Sequence, residues 1–283
     1  MKRHFFYPVV VAMMLFSSCI KDSKDDLIKP SITMTTAKSG MAWFCLNGTG
    51  KAIIDWGDGT KTDITLLWEE LGSDNTRFGH DYSGSFARTI TITGGNITGF
   101  DCAGIHGWDL GNQFTKLDVS NAPALMSLYC AGNQLTGLDV SNNLDLRYLD
   151  CSHNQLTSLD ISRNTALKDL SCNNNQLTTL DVNKNIALMS LYCGHNQLTS
   201  LNMSGCNMLL QLLCADNYMD SVALNALFGT LHSNTIIFTD ISSDPVVKFI
   251  SIVNNGPNYD GSGTSGCDES IATNKGWKVN TAE

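Results

Sequence analysis

The sequence predicts a mainly β chain in three structured parts: a small β-sandwich over residues 31–96, a solenoid of stacked turns over 97–218, and a small α/β cap over 219–283. Three observations predict it. The string NQLTSLDISRNTALKDLSC, from Asn154, is written almost unchanged from Asn133 and again from Asn175, a period of 21 residues, and repetition at such a length marks stacked units. Ahead of the repeats lie short runs of alternating or β-branched residues, SITMTT, MAWFCLN, KAIIDWG and RTITITG, bounded by Gly, Asn or Asp as strands are. Behind them the period breaks into DSVALNALFGTLHS, which has the spacing of an amphipathic helix. A chain of 283 residues, 42% hydrophobic and 16% charged, holds enough apolar material for a substantial core.

The N-terminus carries an address. Met1-Lys-Arg-His is a short basic start, FFYPVVVAMMLF is an apolar run of signal-peptide length, and small Ser17 and Ser18 lead to Cys19. Residues 1–18 resemble a bacterial lipoprotein signal, with Phe16 in place of the usual Leu, and the resemblance implies lipidation of Cys19. Residues 19–30 then form a polar, acidic tether, IKDSKDDLIKP, similar to the Asp-rich export tag of Bacteroidetes-type surface lipoproteins. The implied location is the outer face of the outer membrane. The membrane is touched through the lipid alone, since no later segment is apolar for about 20 residues. Charge excludes another class of partner. Eighteen basic against 27 acidic residues give a formal charge of −9, with no basic, aromatic-interleaved patch, so nucleic acid is not an expected partner.

Within the first structured part, Asp55-Trp-Gly-Asp-Gly-Thr60 supplies a DG turn that accepts positive φ, and Trp56 beside it can plug one end of a sandwich. Gly79-His-Asp-Tyr82 follows before TITIT. The WGDG turn and the later H-x-Y, in this order, resemble a PKD domain, which implies an immunoglobulin-like sandwich used as a spacer or binding module. Asp55 and Asp58 are expected to order the turn and not to hold calcium.

The solenoid is written in register. Leu135, Leu156, Leu177 and Leu198 share the 21-residue spacing, Phe114 and Met219 extend it at both ends, and Cys130, Cys151, Cys172, Cys193 and Cys214 keep the same period. Each unit reads LxxLxCxxNQLTxLDVSxNxA, in which LxxLxCxxNxL is a leucine-rich-repeat pattern with Cys for its third Leu; the whole resembles the 21-residue, nested IRREKO type of bacterial leucine-rich repeat. Two strand-like halves per turn are expected. A degenerate turn, ITGFDCAGIHGWDLGNQ, joins the solenoid to the sandwich. Leu and Val or Ile point inward. Asn133, Asn154, Asn175, Asn196 and Asn217 fall where the chain must turn, so their amides are expected to pair with backbone of their own and the next turn.

Ten cysteines in an exported chain would ordinarily suggest disulfides. In-register side chains of a parallel stack cannot easily reach the disulfide torsion near 90°, so Cys130 to Cys214 read as small buried hydrophobes. Pairing of Cys206 with Cys214, or of Cys45 with Cys102, stays open, as does the state of Cys267. No CxxC spacing occurs, and ligands strung along a solenoid do not converge on one ion. A second file, Asp118, Asp139, Asp160 and Asp181 with Asn202, requires a donor for each carboxylate, and Ser120, Ser141, Ser162 and Ser204 are placed to supply it.

Function then falls to the outward positions of the LxC strands: Ser127, Tyr129, Tyr148, Asp150, Asp169, Ser171, Ser190 and Tyr192, followed by Gln211 and Leu213. Tyrosines for contact area and carboxylates for polar contacts suit recognition of an extracellular or cell-surface protein. The alternatives are a glycan-binding accessory lipoprotein of a nutrient-uptake system and a purely structural surface protein. No cofactor, metal or catalytic residue is expected: His153 and His195 lie two turns, about 10 Å, apart, and no G-x-S-x-G, H-E-x-x-H or phosphate loop is present. His80 is expected to bond within its own motif. Asp220 or Ser221 caps the helix that closes the solenoid, TIIFTDI and VKFISIVNN read as strands or mixed segments, NYDGSGTSGCDES as a loop, and IATNKGWKV as a last Gly-Trp strand. A monomer is expected.

Overall fold

The computed structural model describes residues 31–68, 76–103, 111–234, 247–253, 255, 264 and 266–281. Five strands open the chain: β1 (Ser31–Thr36), β2 (Gly40–Asp55), β3 (Lys61–Leu66), β4 (Arg77–Tyr82) and β5 (Arg88–Asp101). β2 and β5 are long because each serves two layers. The second half of β2 pairs with β3 and with the first half of β5, which in turn pairs with β1; the first half of β2 pairs with β4 and with the end of β5. A straight strand would hold Phe44 and Trp56 roughly 40 Å apart. Their rings are 5.4 Å apart, so β2 folds back over itself. The fold-back falls where the β2–β5 register slips, between Asn47 and Gly48 and between Thr49 and Ala52. A Cβ on Gly48 would lie 2.2 Å from the Asn96 carbonyl oxygen, and Gly94 has φ +93 with a Cβ position 2.8 Å from the Lys51 carbonyl oxygen. Only glycine fits that approach.

The bend carries the chain directly into the solenoid. β6 (Lys116–Asn121) pairs antiparallel with β1, and the end of β5 pairs in parallel with β7 (Ser127–Tyr129). The expected division between residues 96 and 97 therefore lies inside β5, and one hydrophobic core runs from Ile32 to Trp277. Parallel strands follow one per turn: β8 (Tyr148–Asp150), β9 (Asp169–Ser171), β10 (Ser190–Tyr192) and β11 (Gln211–Leu213). Their central leucines, from Leu128 to Leu212, are buried, as are Leu135, Leu156, Leu177 and Leu198.

The second half of each repeat is not a strand, contrary to the two-strand expectation. After Leu138, Leu159 and Leu180 the chain forms consecutive turns, with Asn164 N–H donating to the Ile161 carbonyl at 3.0 Å and Leu167 N–H to the Asn164 carbonyl at 3.1 Å. The same sequence, KLDVSN, is a strand in β6, where β1 lies beside it. A ladder needs a continuous partner. Within the repeats, single bonds such as Gln155 N–H to the Leu135 carbonyl join these halves.

One side chain joins turn to turn throughout. Asn154 accepts the Leu135 N–H at 2.9 Å through Oδ1 and donates through Nδ2 to the carbonyls of Cys130, Cys151 and Ser152 at 3.0, 3.1 and 3.0 Å. Asn133, Asn175, Asn196 and Asn217 repeat this set. The partners lie in the same and the preceding turn, not the next one, because Oδ1 reaches the N–H just past the previous asparagine. Asn112 begins the file, clamping Trp43 N–H and carbonyl, and Asn255 ends it on the Cys214 and Ile252 carbonyls. A second file, Asn143, Asn164 and Asn185, donates to the turn before it, and Cys206 stands in the fourth place with Sγ 3.5 Å from the Val182 carbonyl oxygen.

Turning also requires one left-handed residue per unit: Gly132, His153, Asn174, His195 and Asp216 have φ between 51 and 68. His, Asn and Asp tolerate this region better than most L-residues, and glycine better still. After α1 (Ser221–Thr230), capped by the Asp220 carboxylate on Ala223 N–H at 2.8 Å, the parallel sheet resumes. β12 (Lys248–Ser251) pairs with β11, and β13 (Trp277–Asn280), preceded by α2 (Ser270–Thr273), pairs with β12. Ile250, Ile252 and Asn255 take the places of Leu212, Cys214 and Asn217. The buried Lys248 ammonium closes this end by donating to the carbonyls of His232, Asn234 and Lys275. The segments read as TIIFTDI and the DGSG loop lie outside the described residues, as do Cys19 and the signal and tether around it.

In urea unfolding, Asn175→Ala is expected to cost about 1–3 kcal/mol, since it strands the buried Leu156 N–H, while the carbonyls of Cys151 and Cys172 each keep the amide of a neighbouring asparagine, Asn154 and Asn196. His153→Gly, which relieves a left-handed L-residue, is expected to raise stability by about 0.5–1 kcal/mol.

Candidate recognition site

Three-residue strands with one inward leucine leave two outward positions each, and in-register stacking turns these into two rows. One row runs Ser127, Tyr148, Asp169, Ser190, Gln211; the other runs Tyr129, Asp150, Ser171, Tyr192, Leu213. Neighbours within a row are about 4.8 Å apart. Six of the residues expected on this face, Tyr129, Tyr148, Asp150, Asp169, Ser171 and Tyr192, surround a shallow depression of about 290 Å³ over the β8 and β9 strands at Leu149 and Leu170. Ser127 and Ser190 share the sheet face but lie outside the depression. It exists because Ser171 is short where its neighbours carry rings or carboxylates.

Hydrogen bonds set what this face offers. Ser171 Oγ donates to Asn173 Oδ1 at 2.9 Å, and the Tyr192 hydroxyl donates to Gln211 Oε1 at 2.7 Å. Asp150 Oδ1 accepts the Ser152 N–H and hydroxyl at 3.0 and 2.6 Å. Burial pushes the Tyr129 phenol above its ordinary value, with Tyr148, Asp101 and Asp150 adding to the shift; burial and then Asp169 do the same to Tyr192. Both phenols therefore stay neutral at physiological pH.

Sequence reasoning missed Asp101, which stands beside Tyr129 in the same row. The signal was there: Phe100-Asp101-Cys102 is an LxC triplet with Phe for Leu, and both Phe100 and Cys102 are buried. Phe249 and Ser251 of β12 also extend the rows beyond Gln211 and Leu213.

The remaining polar groups are committed to the fold. Asp118, Asp139, Asp160, Asp181 and Asn202 each accept the backbone N–H two residues on, at 2.8–2.9 Å, so the donor is main chain more than serine hydroxyl. His153 lies 3.4 Å from Asn174 Nδ2 and His195 3.3 Å from Asp216 Oδ2, each along the left-handed edge. His80 Nε2 is 2.7 Å from Asp58 Oδ2, and its ring stacks on Trp56 at 5.1 Å, while the Tyr82 hydroxyl donates to the Trp56 carbonyl. The WGDG turn and the H-x-Y triplet thus lock each other. Cys102, Cys130, Cys151, Cys172, Cys193 and Cys214 form one buried file of free thiols, and Cys45 and Cys206 are free and buried as well, so neither open pairing is formed. Burial pushes the Cys214 thiol up to about 12 and Cys206 to about 11. Among the described residues no three His, Cys, Asp or Glu side chains converge as a metal site would need, and no helix is long and apolar enough to cross a membrane.

Residues 144–185 match the family model for leucine-rich repeats in two copies. That segment consists of leucine-rich repeats. No curated protein matches the chain. Among solved structures, the functional domain of InlJ from Listeria monocytogenes, which includes a cysteine ladder, is 27% identical with a TM-score of 0.45, covering 60% of this chain and 32% of that one. An internalin, InlF, from the same organism is 21% identical with a TM-score of 0.40, covering 58% and 50%. The leucine-rich-repeat protein LIC12759 of Leptospira interrogans is 18% identical with a TM-score of 0.33, covering 51% and 42%. The chain thus spans half or less of the length of each of these three structures.

Thiol titration with Ellman's reagent is expected to leave Cys102 and Cys130 to Cys214 unreacted until denaturant is added; native disulfides among them would overturn the parallel stack. Acid should weaken the WGDG turn. The Thr60 hydroxyl and N–H, followed by His80, hold the Asp58 carboxyl down to about 2. Its stabilising effect is therefore complete above the unfolded value of roughly 4 and is lost as pH falls through the folded one. Thermal melts from about pH 5 downward are expected to fall more steeply for the natural chain than for Asp58→Asn.

Proposed function

We propose that this chain is a non-catalytic binding protein that holds an extracellular or cell-surface protein on the outward rows of β7 to β10. In this reading a lipid on Cys19 anchors it to the outer face of the outer membrane, the N-terminal layers serve as a PKD-like spacer, and no cofactor takes part. Leucine-rich repeats are typically protein-interaction modules. The observation that carries the reading is the depression among Tyr129, Tyr148 and Tyr192. Those three rings have no structural duty that would place them there, since the inward leucines already hold each strand. Partly exposed aromatics clustered at the centre of a rigid face are what interface anchors look like.

A glycan is the second reading, favoured by the same rings, because sugar faces stack on aromatics. The test is a screen of the purified protein against arrayed extracellular proteins and glycans, alongside a Tyr129/Tyr148/Tyr192→Ala variant. A protein hit weakened about tenfold or more in the variant is the expected outcome. A glycan hit lost in the variant would move the chain to the nutrient-uptake class, and hits indifferent to the variant would remove the face from the account. The variant should melt within a few degrees of the natural protein, because all three side chains point away from the core.

A further inference from the structure

We propose that the partner enters this depression with a cationic side chain, an arginine or lysine of an extended segment, held by Asp150 and Asp169 with its stem among the tyrosines. The proposal rests on the protein-binding reading above and specifies its chemistry.

What the depression leaves uncommitted decides the ligand. The Ser171 hydroxyl is spent on Asn173 and the Tyr192 hydroxyl on Gln211. Besides the Tyr129 and Tyr148 hydroxyls, the free capacity consists of carboxylate oxygens: Oδ2 of Asp150, whose Oδ1 is the atom bound to Ser152, and both oxygens of Asp169, which accept no hydrogen bond from the described residues. Three free carboxylate oxygens beside two hydroxyls that both donate and accept leave acceptors in excess, and that excess matches a group that has donors only, which among side chains means guanidinium or ammonium. A sugar hydroxyl presents both roles and would find few donors here.

Placement agrees. Tyr148 pairs with Asp169 and Asp150 with Ser171 across β8 and β9, so the two carboxylates stand on neighbouring strands, diagonally, with Cβ atoms roughly 7–8 Å apart. One cation can lie between them. Arg147 and Lys168 precede Tyr148 and Asp169 in the chain, yet neither pairs with these carboxylates; the ion pairs of the described residues are Lys61–Asp55, His80–Asp58 and His195–Asp216. The rings of Tyr129, Tyr148 and Tyr192 at the border suit an alkyl stem, and their faces attract a cation that has left water. At about 290 Å³ the depression is at the small limit of ligand pockets, which run from roughly 300 to 1,000 Å³, so it fits one side chain better than a whole small molecule. The formal charge of −9 favours a basic partner and repels an anionic one.

Random peptides displayed on phage and selected on the purified protein test this. The expected result is enrichment of Arg or Lys over the input library, with binding weakened about tenfold or more by Asp169→Asn and partly kept by Asp169→Glu. Asp139→Asn with Asp160→Asn removes more charge from exposed positions outside the depression, and is expected to change binding by no more than about twofold. Asp169 makes no internal hydrogen bond, so its variant should keep the natural melting curve, and circular dichroism checks that it does. Peptides that require the three tyrosines but show no enrichment and ignore Asp169→Asn would overturn the cationic ligand and leave the protein-binding face standing. Peptides that ignore the tyrosines, or capture of neutral glycans in place of peptides, would overturn both.

Discussion

The side-chain amide of one asparagine per turn is the contact on which the rest of the molecule depends. A solenoid turn must reverse the chain inside the protein, where a backbone N–H and the cysteine carbonyl of each turn would otherwise lack partners, each at about 1–3 kcal/mol. An asparagine amide offers an acceptor and two donors in one plane. It satisfies those groups and at the same time joins the turn to the one before it, so register is transmitted by hydrogen bonds as well as by leucine packing. The file runs unbroken from Asn112 to Asn255, which is why strands far apart in the chain, β5 at one end and β12 at the other, belong to the same sheet.

Once that register holds, the outward face follows. Each strand has two positions with no packing duty, and stacking places them in rows that repeat at the strand spacing. Tyr, Asp and Ser alternate on the rows while the leucines behind them do not change. The short side chain at Ser171 then creates a depression with rings and carboxylates at its border. Six cysteines in the next inward place serve as small apolar residues of uniform size, and their burial, by pushing the thiols far from ionisation, makes them chemically inert.

Both ends of a stack expose apolar surface and need closure. At the N-terminal end the closure is a strand that bends: β2 contributes to two layers, glycines at Gly48 and Gly94 permit the close approach, and Asn112 grips the backbone of Trp43 as each of its counterparts grips the turn before it. At the C-terminal end, β12 and β13 carry the parallel sheet past the helix, and a buried lysine gathers the three carbonyls of His232, Asn234 and Lys275.

Much of this was legible in residues alone. The 21-residue period, the inward leucines and cysteines, the asparagine file, the outward positions and the helix cap at Asp220 all follow from sequence, because a repeated unit packs against copies of itself and its local pattern already contains its environment. Other features depend on what lies beside the chain in space. The half-repeat LDVS is a strand next to β1 and a series of turns elsewhere, with the same residues. The amides bond to the preceding turn, a direction that spacing does not encode. Asp101 and Phe249 join the rows from segments whose own patterns are degenerate, and the emptiness around Ser171 is a property of five outward neighbours on four strands. The sequence by itself determined the repeat and which side of it faces solvent, since burial alternates along one strand; only the tertiary structure decided which outward residues meet, since that depends on register between strands some twenty residues apart.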